Sequence, residues 1–159
     1  MKKLLIVRHA KSSWDNPSLN DYDRPLNDRG KRDAPKMSFW LSKKANVDLI
    51  LSSGARRALD TAKAFQATLH SPLEIDDKLY HASSKQLLSI IKSVDDEINS
   101  LMIVSHNPGI NDLVHYLNSG FQENVPTCGI LHFDFEVKKW SATSNKNATL
   151  QIFQYPKNL

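Results

Sequence analysis

Short apolar runs alternate along the chain with longer segments in which apolar and polar positions are mixed. The runs at residues 4–7, 47–51 and 101–104 are rich in Leu, Ile and Val and predict buried strands, and a shorter run at 72–75 predicts another. Between them, apolar residues recur every three or four positions, as in helices packed on one face. This alternation indicates an α/β fold with a mostly parallel central sheet.

Three of the helical segments have clear boundaries. Residues 55–69 carry the strongest three-and-four repeat, and residues 83–94 form a second helix that Ser83 or the next serine can cap. A third helix follows the strand at 101–104. Asn107 suits its N-cap, and Pro108 suits its first helical position. Each of these helices comes directly before or after a predicted strand.

The first helix is harder to place because Gly30 and Pro35 both fall inside its candidate segment. Proline inside a helix removes one hydrogen bond and clashes with the preceding turn. One solution is a helix that begins near Asp33, with Pro35 in its first turn. The other is a kinked helix that begins earlier, with Asn27 or Asp28 as its cap.

The pattern changes toward the C-terminus. Residues 131–137 alternate between apolar and polar, which predicts a half-buried strand with His132 on its solvated side. Residues 148–155 predict a last strand, and the polar connection 138–147 suits a hairpin loop. We therefore expect the sheet to end in an antiparallel strand or pair.

Composition narrows the class of protein. A chain of 159 residues suits a single domain over residues 1–159, and the formal net charge of +4 is a mild bias that gives nucleic-acid binding little support. The single Cys128 excludes an internal disulfide and a cysteine-based metal site, and we expect it to be a packed thiol. No run is long enough to cross a membrane, and no signal peptide is evident, so we expect a cytoplasmic monomer.

Charged or ionisable residues follow three of the predicted strands. Arg8 and His9 follow the first strand, Arg56 and Arg57 begin the helix after the second, and His106 follows the strand at 101–104. Because ligands bind beyond the carboxyl ends of parallel strands, these groups should meet at one edge of the sheet. Positive charge at a helix start is unfavourable unless an anion lies nearby. We expect Arg57 to bind such an anion and Arg56 to be solvated.

A phosphoryl group explains this arrangement best, because the same segments supply no carboxylate to balance the arginines. Neighbouring arginines lower the pKa of a histidine, which leaves its imidazole free to attack phosphorus. This reasoning assigns His9 as the nucleophile, Arg8 and Arg57 as phosphate clamps and His106 as a hydrogen-bond donor. It requires no metal ion or other cofactor.

Some neighbouring residues are candidates for contact with the phosphate or the mouth of the site, although ordinary structural roles suit them equally well. Trp14 lies close enough in sequence to shape the mouth. The residues Asp21, Asp23 and Arg24 suggest a structural ion-pair cluster in the loop 13–27. The candidates for contact with the phosphate are Lys11, Ser12, His81 and Asn107.

These residues also carry a resemblance to a known family. The sequence Arg-His-Ala-Lys-Ser at 8–12 resembles the opening motif of the histidine phosphatase superfamily (phosphoglycerate-mutase-like), and residues 53–62 and 105–108 resemble its second and third motifs. The segment 23–30 also fits. The short chain and the residues at 79–82 are most similar to the SixA-type phosphohistidine phosphatases. The resemblance implies a three-layer α/β/α sandwich and a covalent phosphohistidine intermediate.

The chain departs from many members of that superfamily in the segment 79–83, which lacks the glutamate that acts as an acid. An alkoxide leaving group needs such an acid, whereas a phosphoramidate nitrogen leaves more readily. The departure favours phosphohistidine in a protein or peptide as the substrate. Two alternatives remain: a small phosphomonoester, with His81 or an aspartate of residues 13–28 as the acid, and a phosphate-binding module without catalysis.

Overall fold

The computed structural model describes all 159 residues, which form one six-stranded sheet and four α-helices. The strands lie in the order β3-β2-β4-β1-β5-β6. In chain order the elements are β1 Lys2–Arg8, α1 Asp28–Ser42, β2 Leu49–Ser52, α2 Arg56–Leu69, β3 Leu73–Ile75, α3 Ser84–Lys92, β4 Ser100–Ser105, α4 Gly109–Leu117, β5 Ile130–Phe135 and β6 Ala148–Gln154. None of the helices combines the length and the apolar character needed to cross a bilayer.

The sheet is parallel except at β5. Strands β3, β2, β4 and β1 pair in parallel, while β5 pairs antiparallel with both β1 and β6. The predicted mostly parallel sheet with an antiparallel C-terminal segment is confirmed. As a result, the amino end of β5 lies at the same edge as the carboxyl ends of β1, β2 and β4, with Ile130 opposite Val7.

The two faces of the sheet bury separate apolar clusters, which confirms the three-layer sandwich. Along β1, Leu5 and Val7 pack with residues of α1 and α2, whereas Leu4 and Ile6 pack with residues of α3 and α4. This division follows from the strand geometry, because successive side chains point to opposite faces. Both faces of β1 are covered, so its sequence is a continuous apolar run.

Helix α1 begins earlier than one of the two sequence predictions allowed. The Asn27 side chain accepts a hydrogen bond from the Gly30 amide at 2.9 Å and caps a helix that starts at Asp28. A start near Asp33 was therefore wrong. The helix continues through the exposed Pro35, because a good cap and a buried apolar face outweigh the loss of one backbone hydrogen bond.

Helix α4 begins at Gly109, two residues after Asn107, so the predicted N-cap and first helical position were wrong. The Asn107 side chain nevertheless accepts a hydrogen bond from the Asn111 amide at 3.0 Å. A side chain at Gly109 would collide with the carbonyl oxygen of Ala82, which explains why glycine stands at this start. The predicted cap at Ser83 is confirmed, as part of a capping box with Gln86.

One expectation about the C-terminal segment was wrong, and another is confirmed. His132 is buried rather than solvated, and its Nε2 lies 3.0 Å from Asp134 Oδ1. The cause is that β5 lies between β1 and β6 and is covered on both faces. The connection 138–147 joins the antiparallel neighbours β5 and β6, which confirms the predicted hairpin loop, although its Trp140 side chain is fully buried and donates to the carbonyl of Ile98 at 2.7 Å.

Candidate active site

The site cavity, with a volume of about 320 Å³, lies at the edge where β1, β2 and β4 end and β5 begins. The structure brings together in this cavity the four side chains to which the sequence assigned the chemistry, which are Arg8, His9, Arg57 and His106. The four further candidates also line it, namely Lys11, Ser12, His81 and Asn107. The chemical roles of these residues remain predictions.

His9 directly follows β1 and is buried. Its Nδ1 donates a hydrogen bond to the carbonyl oxygen of Ala10 at 2.7 Å, because a carbonyl oxygen can only accept. In the neutral ring, Nε2 therefore carries the free lone pair. The backbone is fixed beside it, since the Ala10 amide donates to Thr61 Oγ1 at 2.9 Å.

The electrostatics of the site keep His9 neutral. Burial lowers the pKa of His9 to about 3; the hydrogen bond to Ala10 opposes the shift, and the charges of Arg57 and Arg8 add to it. An imidazole in this state is an available nucleophile across the physiological pH range.

His106 lies beside His9 at the end of β4, with 5.1 Å between the ring centroids. Its Nε2 is 2.9 Å from Ser53 Oγ, and its buried Nδ1 has no protein partner. Burial lowers the pKa of His106 to about 3, and the neighbouring His9 and Arg57 lower it further. Two neutral imidazoles thus share the floor of the site.

The two predicted clamp arginines are held by different parts of the chain. Arg8 donates from NH1 to the carbonyl oxygen of Val125 at 2.9 Å, and Arg57 is only 4% exposed in the first turn of α2. The Nε atoms of both arginines are buried and have no protein partner. Unpaired buried donors are costly, and an anion can pair with them. The preceding Arg56, by contrast, is exposed and lies 3.7 Å from Asp60.

A carboxylate does enter the site, against the expectation from the sequence. Asp21 accepts hydrogen bonds from Arg57 NH1 at its carbonyl oxygen (2.6 Å) and from Arg57 NH2 at Oδ2 (2.9 Å). These bonds occupy one edge of the guanidinium and leave the edge with Nε for another anion. Asp21 does not neutralise the cavity, because Arg8, Arg24 and Arg57 all line it.

The Asp21 carboxyl is also the centre of a hydrogen-bond network. It accepts from Arg24 NH2 at 3.2 Å and from the Tyr80 hydroxyl at 2.6 Å, and His81 Nε2 lies 3.2 Å from it. Burial raises the pKa of Asp21, but the hydrogen bonds from Tyr80 and Arg57 outweigh burial and hold that pKa well below its usual range. Burial and the bond to Asp21 raise the pKa of Tyr80 to about 12.

Two residues of the loop 13–27 have a larger role than the sequence analysis gave them. Asp21 and Arg24 form the predicted ion pair, yet both line the cavity; the exposed Asp23 takes no part in it. Arg24 NH1 also donates to Ser12 Oγ at 2.7 Å, so the Ser12 hydroxyl already has a protein partner. The match of segment 23–30 to the superfamily pattern was the observation from which a place for Arg24 in the site could have been predicted.

Sequence reasoning missed Thr127 entirely, and it included Tyr80 only within the segment 79–82 that resembles the SixA-type enzymes, without a role. Thr127 lines the cavity because it comes just before β5, the reversed strand. Tyr80 supports the site through its bond to Asp21 and through its stacking on His81, with 3.9 Å between the ring centroids. Cys128, next to Thr127, is a buried thiol, as expected, and burial raises its pKa.

No group of three or more His, Cys, Asp and Glu side chains in the structure is arranged to hold a metal ion. The cavity instead collects histidines and arginines. Its arrangement suits an oxyanion that several positive or polar donors surround, with a neutral imidazole nitrogen as the attacking group.

Comparisons with known proteins agree with this chemistry. The model of the histidine phosphatase superfamily (branch 1) matches residues 4–83. An uncharacterised chloroplastic protein of Arabidopsis thaliana is 34% identical over 139 residues, which are 80% of this chain and 63% of that protein. The chain thus spans less than two thirds of that relative's length.

Two solved structures show the range of similar folds. A SixA protein of Agrobacterium tumefaciens, assigned as a phosphohistidine phosphatase, has a TM-score of 0.84 and 28% identity, over 98% of each chain. A mycobacterial glucosyl-3-phosphoglycerate phosphatase, solved with VO3, has a TM-score of 0.73 and 15% identity, over 96% of this chain and 98% of that one. The second likeness concerns the fold alone.

Proposed function

This chain belongs to the histidine phosphatase superfamily, and from that premise we propose that it removes the phosphoryl group from phosphohistidine in a protein or peptide, by way of a phosphohistidine on His9. One observation carries the proposal: a buried, neutral His9 stands among arginines whose Nε atoms have no protein partner, and no proton-donating carboxyl group lines the cavity. The similarity to the SixA protein of Agrobacterium tumefaciens supports it.

The first step is the attack of His9 Nε2 on phosphorus. A bond forms between that nitrogen and phosphorus, and the bond from phosphorus to the substrate imidazole breaks. Arg8 and Arg57 bind the phosphoryl oxygens, and His106 donates a hydrogen bond as negative charge develops on them. Water then attacks the phosphohistidine, which releases inorganic phosphate and restores neutral His9.

The leaving group decides between substrate classes. The carboxyl group that lines the cavity is that of Asp21, and its depressed pKa keeps it ionised and unable to donate a proton. An imidazole whose other ring nitrogen carries a proton leaves as a neutral molecule and needs no acid from the enzyme. An alkoxide does need one. The site is therefore better suited to phosphohistidine than to an alkyl phosphate.

The test is phosphate release from a phosphohistidine peptide in buffer containing a chelator, together with trapping of the phosphoenzyme by rapid quench into alkaline denaturant. We expect His9→Ala to lose phosphoenzyme and at least about 10³-fold of kcat/KM, because the nucleophile is gone. His115→Ala, at an exposed position on α4, is the matched control and should keep both. Wild-type rates in His9→Ala would refute the proposal, and phosphate binding without turnover by the wild type would favour a binding module.

A second candidate, hydrolysis of a small phosphomonoester, has one observation in its favour. His81 Nε2 lies 3.2 Å from Asp21 Oδ2 at the mouth, where a histidine paired with a carboxylate can supply a proton. The mycobacterial protein of similar fold is named as a phosphatase of glucosyl-3-phosphoglycerate, which is a small phosphorylated metabolite. A higher kcat/KM for alkyl phosphates than for phosphohistidine, with a loss in His81→Phe confined to alkyl phosphates, would favour this candidate.

A further inference from the structure

Two flat, exposed side chains stand at the mouth of the site cavity, and we refer to Trp14 and His81 together as the ring pair. Trp14 is 72% exposed, although large apolar side chains are usually covered. It is nevertheless held in place, because the Arg24 guanidinium stacks over its ring at 3.6 Å from the centroid. Arg24 itself is buried and bonded to Ser12 and Asp21, so Trp14 rests on a fixed support.

His81 is supported in a similar way on another segment. Its side chain is 62% exposed, and its ring stacks on Tyr80 with 3.9 Å between centroids and 26° between planes. The Tyr80 hydroxyl donates to Asp21, and His81 Nε2 also lies within hydrogen-bond distance of that carboxylate. The supports of both rings therefore meet at Asp21.

We propose that the ring pair recognises a planar heteroaromatic ring that carries the phosphoryl group, and thereby selects the leaving group. This proposal rests on the proposed function, because it concerns the part of the substrate that stays at the mouth while phosphorus is at His9. Exposed rings that are already oriented bind a partner ring without a further ordering cost. The electron-rich face of Trp14 also favours an imidazole that carries a proton on its other nitrogen.

The sharpest test compares two substrates that share the P–N bond and differ in the ring. Phosphoimidazole has the ring, and phosphoramidate does not. We expect Trp14→Ala to raise KM for phosphoimidazole about three- to tenfold, the size expected for one lost stacking contact, and to leave KM for phosphoramidate unchanged. Trp14→Phe should restore most of the difference.

His81→Ala should raise KM for phosphoimidazole in the same selective way, and His81→Phe should restore it, because phenylalanine keeps the flat face but cannot donate a proton. Phe39→Ala is the matched control, since Phe39 is an exposed aromatic on α1 outside the site cavity. Equal changes in KM for both substrates would overturn the assignment. An unchanged KM for phosphoimidazole in Trp14→Ala would also overturn it.

A binding measurement separates this proposal from the proposed function. In the His9→Ala chain, which should not turn over either compound, the difference between the calorimetric affinities of phosphoimidazole and phosphoramidate measures ring recognition. We expect phosphoimidazole to bind more tightly, and the preference to disappear in His9→Ala/Trp14→Ala. Such a preference without turnover by the wild type would refute only the proposed function. Equal binding of the two compounds would refute the ring pair.

Discussion

The site cavity is smaller than a second concavity on the same molecule, and the contrast shows what makes a site. The β3–α3 groove has a volume of about 550 Å³ against about 320 Å³, and its lining includes apolar residues such as Leu51, Ile75 and Ile90 together with several acidic ones. It contains no histidine and no arginine. Size therefore does not locate the chemistry of this protein.

The charges of the two regions also differ in how they are satisfied. In the β3–α3 groove, Asp48 accepts hydrogen bonds from two backbone amides at 3.0 Å, and Asp95 accepts one from the Glu97 amide at 2.8 Å. Asp48 thereby links the residue before β2 to the start of β4, and Asp95 stabilises its own turn. In the site cavity, buried donors on Arg8 and Arg57 have no protein partner. Buried arginine donors without a protein partner distinguish the site cavity from the groove, because a bound anion can pair with them.

The largest expected effect on kcat/KM distinguishes the two arginines at the start of α2, when each is replaced on its own. Arg57→Ala should lower kcat/KM on a phosphohistidine peptide about 10²- to 10³-fold, because a buried donor to the transferring phosphoryl group is lost. Arg56→Ala is the matched control one residue away, and its exposed side chain predicts a change of less than about twofold. Steady-state kinetics of the two variants test the assignment, and similar losses in both would contradict it.

The next effect is on stability, and it comes from the neutral histidines of the site cavity. The pKa values of His9 and His106 are lowered to about 3, so between that value and about 6.5 the unfolded chain binds more protons than the folded chain. The free energy of unfolding must therefore fall as the pH falls through this window. The loss between pH 7 and pH 5 should be about 2 kcal/mol for each histidine.

Urea unfolding at pH 7 and pH 5 measures this loss. His9→Asn and His106→Asn should each remove about half of the fall that the wild type shows, since each removes one of the two groups. His115→Asn, at an exposed position, should leave the fall unchanged. If the wild type were equally stable at both pH values, the neutral pair would be refuted.

The smallest effect is expected in the β3–α3 groove. Ile75, on the short edge strand β3, is 57% exposed, and Ile75→Ser should change kcat/KM by less than about twofold. Kinetics with phosphohistidine peptide and with phosphoramidate provide the check. A tenfold loss with either substrate would mean that the groove takes part in the reaction and that the contrast drawn above is incorrect.

Much of the architecture could be predicted because it depends on local pattern. The apolar runs of β1, β2 and β4 are long enough to identify, and each is followed directly by polar or ionisable residues. Since strand direction fixes where those residues end up, Arg8, His9 and His106 could be placed together without coordinates. Arg57 followed from its position in the first turn of α2.

The remaining features depend on contacts between distant segments. The bond from Tyr80 to Asp21 joins residues 59 positions apart, and the placement of Thr127 depends on the reversed direction of β5. Neither leaves a periodic trace in the sequence. His132 was misjudged for the same reason, because alternation along a strand does not reveal that both faces of the strand are buried. Helix α1 was left ambiguous because the effect of Pro35 depends on the quality of the Asn27 cap.

The reversed strand β5 has a consequence for how the site is completed. The segment that leads into β5 places the carbonyl of Val125 against Arg8, and the Cys128 amide against the carbonyls of Arg8 and His9. The segment 4–83, which matches the family model, contains His9 and Arg57 but neither Val125 nor Cys128. A fragment ending at residue 83 would carry the family's signature without a finished phosphate site. The finished site therefore requires the final third of the chain to pair with the first strand.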